Sequence, residues 1–318
     1  MYDRKVKNTH FGRGKKKMKN QTIGIEIEMT GITRKTAAEV IATYFGTEVE
    51  KTYNTYDCHK ITAPDGRVWQ IMSDASIKAM KKEGGRLETA NSQYSVELVS
   101  PILTYTDIEP LQEIIRRLKQ AGGISESKYQ CGIHIHIGAK NHTPNTLKNL
   151  VNLMASKEDL IYKSLGIDPA RLRFCKKVNN DLIETINKKK PKTMSALADL
   201  WYNGYSDLRS RHYHASRYHG LNLHSVFTKG TIEFRLFNGT LHAGKIRSYL
   251  VLALATSHQA LIQKSASAKR TYTENEKYTF RCWLLRLGLI GEEYKNCREH
   301  LMANLTGNSA WKTPRQAA

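Results

Sequence analysis

The chain has 318 residues, 40% of them hydrophobic, with 50 Lys and Arg against 29 Asp and Glu for a formal net charge of +21. That length can bury a full core and favours one large domain over several small ones. The longest apolar run, Tyr249 to Ala255, is far below the roughly 20 residues of a bilayer span, which excludes a transmembrane helix, and five scattered cysteines without a C-x-x-C pair exclude a disulfide framework.

Much of the excess charge is local. The first 20 residues carry eight Lys and Arg against one Asp, and the stretch from Lys163 to Lys192 ends in KKKPK. We expect 1–20 to be a basic flexible tail, able to meet a nucleic acid or an acidic protein through counterion release. No apolar segment follows it, so no secretory signal is expected and the expected location is the cytoplasm.

In chain order, TIGIEIEM (22–29) alternates as a strand, and Thr33 is placed to cap an amphipathic helix that uses Ala37, Val40, Ile41, Tyr44 and Phe45. Residues 48–73 predict a hairpin or meander with APDG (63–66) as its turn. QYSVELVSP is a short strand stopped by Pro101, and a helix is predicted from about Thr106 to Gln120. The strand QCGIHIHIG leads to a long helix with Thr143 as N-cap and Pro144 first inside it. The segment 144–205 reads as a helical insertion. LNLHSVF and GTIEFRLF, separated by Thr228-Lys229-Gly230, predict a two-strand hairpin, and the chain after Ala243 reads as helices. The expected domains are the tail, a catalytic domain over 21–264 and a helical extension over 265–318. The expected class is α+β, with helices on one side of an antiparallel sheet.

Period-2 geometry decides which strand residues share a side. Ile23, Ile25 and Ile27 oppose Glu26 and Glu28; Val96 and Leu98 oppose Ser95 and Glu97. Cys131, Ile133, Ile135 and Ile137 oppose His134 and His136, while Ile232, Phe234 and Leu236 oppose Glu233 and Arg235. Four glutamates therefore sit on predicted strands, where carboxylates are depleted and like charges side by side destabilise, so the set needs a compensating cation. Carboxylate oxygens with an occasional imidazole suit Mg²⁺ or Mn²⁺. Cys131 is expected in the core rather than as a ligand. His212, His214 and His219 are expected on the surface or in loops.

The order G-I-E-I-E, D-x-S, E-L-V-S-P, C-G-x-H-x-H, R-Y with L-N, and T-x-E-F-R with N-G-T resembles the amidoligase family, relatives of glutamine synthetase and glutamate–cysteine ligase, over about Thr22 to Ala255. The resemblance implies a glutamine-synthetase-like sheet with a polar metal-binding face. It also implies ATP- and Mg²⁺- or Mn²⁺-dependent joining of a carboxylate to an amine through an acyl phosphate, with amino-acid, amine or peptide substrates. By position, Glu26 and Glu28 resemble the paired metal ligands and Glu97 a further one. One of His134 and His136 resembles the histidine near metal and phosphates, with parity leaving the choice open. Glu233 resembles the late metal-binding glutamate and Arg235 the phosphate-contacting arginine. Asp74 and Ser76 match D-x-S, where substrate contacts are implied; Arg217 and Asn222 are further candidates for phosphate or substrate.

Two other classes compete. A metal-dependent hydrolase or nuclease would also use H-x-H, clustered carboxylates and basicity, but the helical stretch after Gly138 lacks the alternating β and α units expected of an amidohydrolase. A non-catalytic nucleic-acid-binding protein explains the charge and leaves the glutamates unexplained.

Overall fold

The computed structural model describes residues 18–52 and 57–312. At its centre β1 (Ile23–Met29) lies between β7 (Val96–Val99) and β8 (Gly132–Gly138). Beyond β7 come β4 (Val68–Met72), β3 (His59–Thr62) and β2 (Val49–Lys51); beyond β8 come β10 (Thr231–Asn238) and the two-residue β9 (Leu221–Asn222). All neighbours in this eight-stranded sheet are antiparallel. The architecture is α+β, as the alternation predicts.

The isoleucine face of β1 and β8 is sealed. Ile23, Ile25, Ile27, Ile133, Ile135 and Ile137 are each 2% exposed or less, and at about 2 kcal/mol per fully buried side chain they are the main local term holding these strands together. Four helices contribute to the same core: α1 (Arg34–Phe45), α2 (Ile108–Gln120), α3 (Pro144–Leu165) and, later in the chain, α7 (Ala243–Ile262). Their starts follow the sequence signals. The Thr33 side chain accepts the Thr36 N–H at 3.1 Å, and Thr143 caps α3 with Pro144 at its first position. A 3₁₀ turn at Tyr105–Asp107 precedes α2, where Asp107 accepts the Thr104 N–H at 2.7 Å and both Nη groups of Arg67.

Three elements differ from expectation. LNLHSVF is a strand only at Leu221–Asn222; the chain then turns into a short helix, α6 (His224–Lys229), because Asn222 Oδ1 accepts the His224 N–H at 2.8 Å and Gly230, at φ 70°, closes the helix. The two strands still pair, with Glu233 opposite Asn222. A separate hairpin of β5 (Met80–Glu83) and β6 (Arg86–Thr89) turns on Gly84 and Gly85, both at positive φ; that Gly-Gly pair is a hairpin signal the hydropathy pattern hides, since the flanking residues are mostly charged. Between α3 and α4 (Asn180–Lys189), residues 166–179 form a loop with a 3₁₀ turn at Pro169–Arg171, so the middle segment, which ends with α5 (Met194–Trp201), is not continuous helix.

The carboxy-terminal helices α8 (Glu276–Arg286) and α9 (Lys295–Met302) place Phe280, Trp283, Leu284 and Leu301 in the same core as the sheet. Most of the expected basic tail lies outside the described residues. Of its last three residues, Met18 is buried and Lys19 pairs with Glu293 at 2.6 Å. Among the described residues no helix is long and apolar enough to cross a membrane.

Glu158 on α3 is 3% exposed and accepts the Val178 N–H at 2.9 Å, so it fastens the 166–179 loop to the core. Burial pushes its carboxyl from 4.5 up to about 7, against the opposing effect of that N–H. A folded-state value above the unfolded one means that stability is full below pH 4.5 and falls as pH rises through 7. The loss is on the order of 2 to 3 kcal/mol. Glu158→Gln should therefore melt with wild type at pH 5 and be more stable at pH 8.5. An equal difference at both pH values would contradict this account.

Candidate active site

The strand register brings the polar residues together on the face opposite the isoleucines. Glu26 stands opposite His134, Glu28 opposite Glu97, and Glu233 opposite both His136 and Asn222. Glu26, Glu28, Glu97, His134 and Arg235 line a cavity of about 650 Å³ that also takes in Asp74 and Ser76, on the loop after β4, and Arg217. His136 and Glu233 are buried beside Glu26 rather than on the cavity wall.

Hydrogen bonds and, for His136 Nε2, a charge contact without a hydrogen bond hold these side chains. His134 Nδ1 lies 3.0 Å from Glu26 Oε2, and His136 Nε2 lies 3.3 Å from Glu26 Oε1. The other ring nitrogen of His136 meets Thr231 Oγ1 at 2.9 Å, and the Gly132 N–H donates to Glu28 Oε2 at 2.6 Å. Arg235 Nη1 and Asn222 Nδ2, the latter at 2.7 Å, each donate to one oxygen of Glu233. Between Phe234 and Phe237, β10 shifts register, and the Arg235 N–H donates to the Gly220 carbonyl at 2.9 Å. Such an irregularity re-aims the side chains around it.

Three sets of side-chain atoms each fit within 4.8 Å: Glu26, His136 and Glu233; Glu26, Glu97 and His134; and Glu28, Asp74 and Glu97. Their charge states are unequal. Burial raises Glu26, but His134 and His136 outweigh it and hold that carboxyl well below the usual range. Burial likewise acts against Glu233, yet Arg235 and the two histidines bring it down to about 2. For Glu97 the balance is reversed: burial, reinforced by the charges of Glu26, Glu28 and Asp74, outweighs the opposing charge of Lys229 and pushes it well above the usual range. Acids therefore predominate among the charges acting on Glu97.

Two candidates sit differently from the others. Asn222 is fully buried with both ends of its amide committed, to Glu233 and to the His224 N–H, so it positions Glu233 and does not open into the cavity. Arg217 stands at the cavity wall, donates to the His212 carbonyl at 3.1 Å and lies over the Tyr213 ring. Asp74 Oδ1 accepts the Ser76 N–H at 2.7 Å, which shapes the loop. His214, expected on the surface or in a loop, is in a loop but fully buried; the 203–219 loop folds back so that its ring stacks on His224 at 5.2 Å and meets Tyr202 at 4.8 Å. His212 is exposed and His219 half-buried. Cys131 is buried as expected, but since β8 begins only at Gly132 it joins Ile77, Met80 and Tyr129 instead of the isoleucine core.

The sequence reading missed Arg171 and Lys229. Lys229 ends α6 with its Nζ 3.9 Å from Glu26 Oε1. Arg171 reaches the cavity from an irregular loop, where no periodicity marks it; the only trace is Gly132, since a glycine within a strand can mark the close approach of another group.

Replacing Arg235 with Leu would leave Glu233 buried without its guanidinium. Breaking such a pair costs about 3 to 5 kcal/mol, so Arg235→Leu should lower the thermal midpoint strongly. A wild-type melting curve would show that the pair does not matter for folding.

With the geometry in view, the chain can be set beside known proteins. None of the curated proteins matches it. Among solved structures it is similar to a bifunctional glutathione synthetase from Pasteurella multocida, at 11% identity and a TM-score of 0.37, over 95% of this chain and 49% of that one. The chain thus spans about half the length of that protein, and a likeness of this size carries no argument about activity. The family model described as "Putative amidoligase enzyme" matches residues 19–257, which include the whole polar face from Glu26 to Arg235. The chain belongs to the amidoligase family.

Proposed function

We propose that the protein is an ATP-dependent carboxylate–amine ligase that uses the polar face of its sheet, in the manner of glutamine synthetase, to hold two divalent cations, Mg²⁺ or Mn²⁺. The observation that carries this reading is the crowding of Glu26, Glu28, Glu97 and Asp74 around one cavity, where burial and the neighbouring acids outweigh the charge of Lys229 and push the Glu97 carboxyl well above the usual range. A buried carboxylate cluster of this kind is relieved by a divalent metal, and oxygen donors with imidazole fit Mg²⁺ or Mn²⁺. Glu28, Asp74 and Glu97 would hold one ion; Glu26, Glu233 and a histidine would hold the other.

When bound, the ions would neutralise and align the triphosphate. The protein's own part follows from its geometry. Glu233, itself braced by Asn222, holds Arg235 through Nη1, and the guanidinium borders the cavity where a phosphate oxygen would lie. A preorganised guanidinium there stabilises charge on the phosphoryl group as it moves. The acid's carboxylate oxygen attacks the γ-phosphorus and ADP leaves; the amine nitrogen then bonds to the acyl carbon, phosphate leaves, and the amine proton passes to a base. ADP release that requires both an acid and an amine, with a product mass equal to their sum less water, tests the class. Nucleotide hydrolysis indifferent to both would refute it.

Two substitutions separate the roles. Glu28→Gln removes a ligand charge, so metal affinity should fall by at least the roughly 10-fold that losing a supporting group alone costs, partly restored by high Mn²⁺. Arg235→Lys keeps the charge but loses the fork, so kcat should drop while nucleotide affinity changes little. Manganese titration and steady-state kinetics check both, with melting curves as the folding control. Wild-type turnover in both variants would remove the assigned roles.

A further inference from the structure

The cavity contains a buried cation that the protein does not neutralise. Arg171, at the end of the Pro169–Arg171 turn, is 4% exposed and lines the cavity. Its Nη2 donates to the Arg235 carbonyl at 3.3 Å, and its Nε has no hydrogen-bond partner. Among the described residues no carboxylate pairs with it, whereas Arg235 is held by Glu233. Burying a guanidinium without an acid is costly, and here the backbone is cut away to admit it. A Cβ on Gly132 would stand 2.2 Å from both Arg171 Nη atoms.

Register locates this cation. The Gly132 N–H donates to Glu28, and Glu28 faces Glu97. Arg171 therefore stands at the Glu28–Asp74–Glu97 end, beside the Asp74–Ser76 loop, while Lys229 marks the Glu26 end. A planar guanidinium that borders a cavity and has no carboxylate partner among the described residues is shaped for a planar or tetrahedral oxyanion.

We propose that Arg171 is a substrate-binding residue that anchors a carboxylate of the acid substrate, and that Gly132 exists to make room for it. The inference rests on the ligase reading, which supplies an acid substrate. The Asp74–Ser76 side of the cavity favours the acid over a nucleotide phosphate, because the other end already offers Lys229 and the Glu233-braced Arg235.

The test is calorimetric titration of the full chain in Mg²⁺, first with ATP and then with L-aspartate, L-glutamate and succinate, in wild type, Arg171→Lys and Gly132→Ala. Arg171→Lys keeps the charge without the fork; Gly132→Ala keeps the arginine but displaces it. Each should weaken capture of the acid at least tenfold and leave the Kd for Mg·ATP within threefold. Melting curves verify folding, and Arg171→Lys decides the matter if Gly132→Ala does not fold. Unchanged acid binding, no acid captured by wild type, or an equal loss of Mg·ATP affinity, which would assign Arg171 to a phosphate, each overturns the proposal. Wild type that captures an acid in an Arg171-dependent way but binds no Mg·ATP would sink the ligase reading and leave this one standing.

Discussion

Glu28 and Glu97 face each other across adjacent strands, both nearly inaccessible to water. Two carboxylates in that relation repel, and burial strengthens the repulsion by removing the solvent that would screen it. The rest of the polar face can be understood as a response. The Glu97 carboxyl is pushed well above the usual range, Glu28 takes the Gly132 N–H, and Glu26 and Glu233 are held well below it by two imidazoles and a guanidinium. None of these groups could be kept in place by its own interactions alone. The sheet tolerates them because the opposite side of the same strands is sealed by isoleucines against four helices.

This division of labour explains what the sequence could disclose. Alternation has a period fixed by the backbone, so the placing of Ile25 and Ile27 on one side and Glu26 and Glu28 on the other follows from the letters alone. So do the helix starts at Thr33 and Thr143, where a side-chain oxygen and a proline act locally. What escaped depends on contacts distant in sequence or on single turns. LNLHSVF has the composition of a strand, but one bond from Asn222 to the His224 N–H redirects it into helix. His214 looks like a surface histidine among arginines, and only the folding back of its loop buries it against His224. Arg171 lies in a loop with no period, and its neighbour Gly132 is 39 positions away in the chain.

Asn222 shows a related limit. Its motif position marked it as a ligand-binding residue, and it is instead a brace, donating to the same glutamate that Arg235 grips. Sequence order can place a residue at a site; it cannot say whether the residue faces a ligand or stands behind one that does. The distinction matters physically, because a braced Glu233 presents its charge to Arg235 in a single orientation, and an arginine so held would lose little further freedom on meeting an anion.

The cavity's charges can then be considered as a pair of deficits. At the Glu28 end an acid, Glu97, is crowded by other acids that outweigh Lys229, and a base, Arg171, has no carboxylate partner among the described residues, yet the two do not pair with each other. A fold selected for stability alone would bring them together, since either one buried by itself is unfavourable. Their separation is intelligible if the missing partners are bound together, a divalent cation against the acids and an oxyanion against the guanidinium. Each arrival would then lower the cost of the other, because the cation's charge strengthens attraction for the anion in a site with little water to screen it. Holding opposite charges apart and in fixed positions is the form that preorganisation takes when the ligands carry opposite charges.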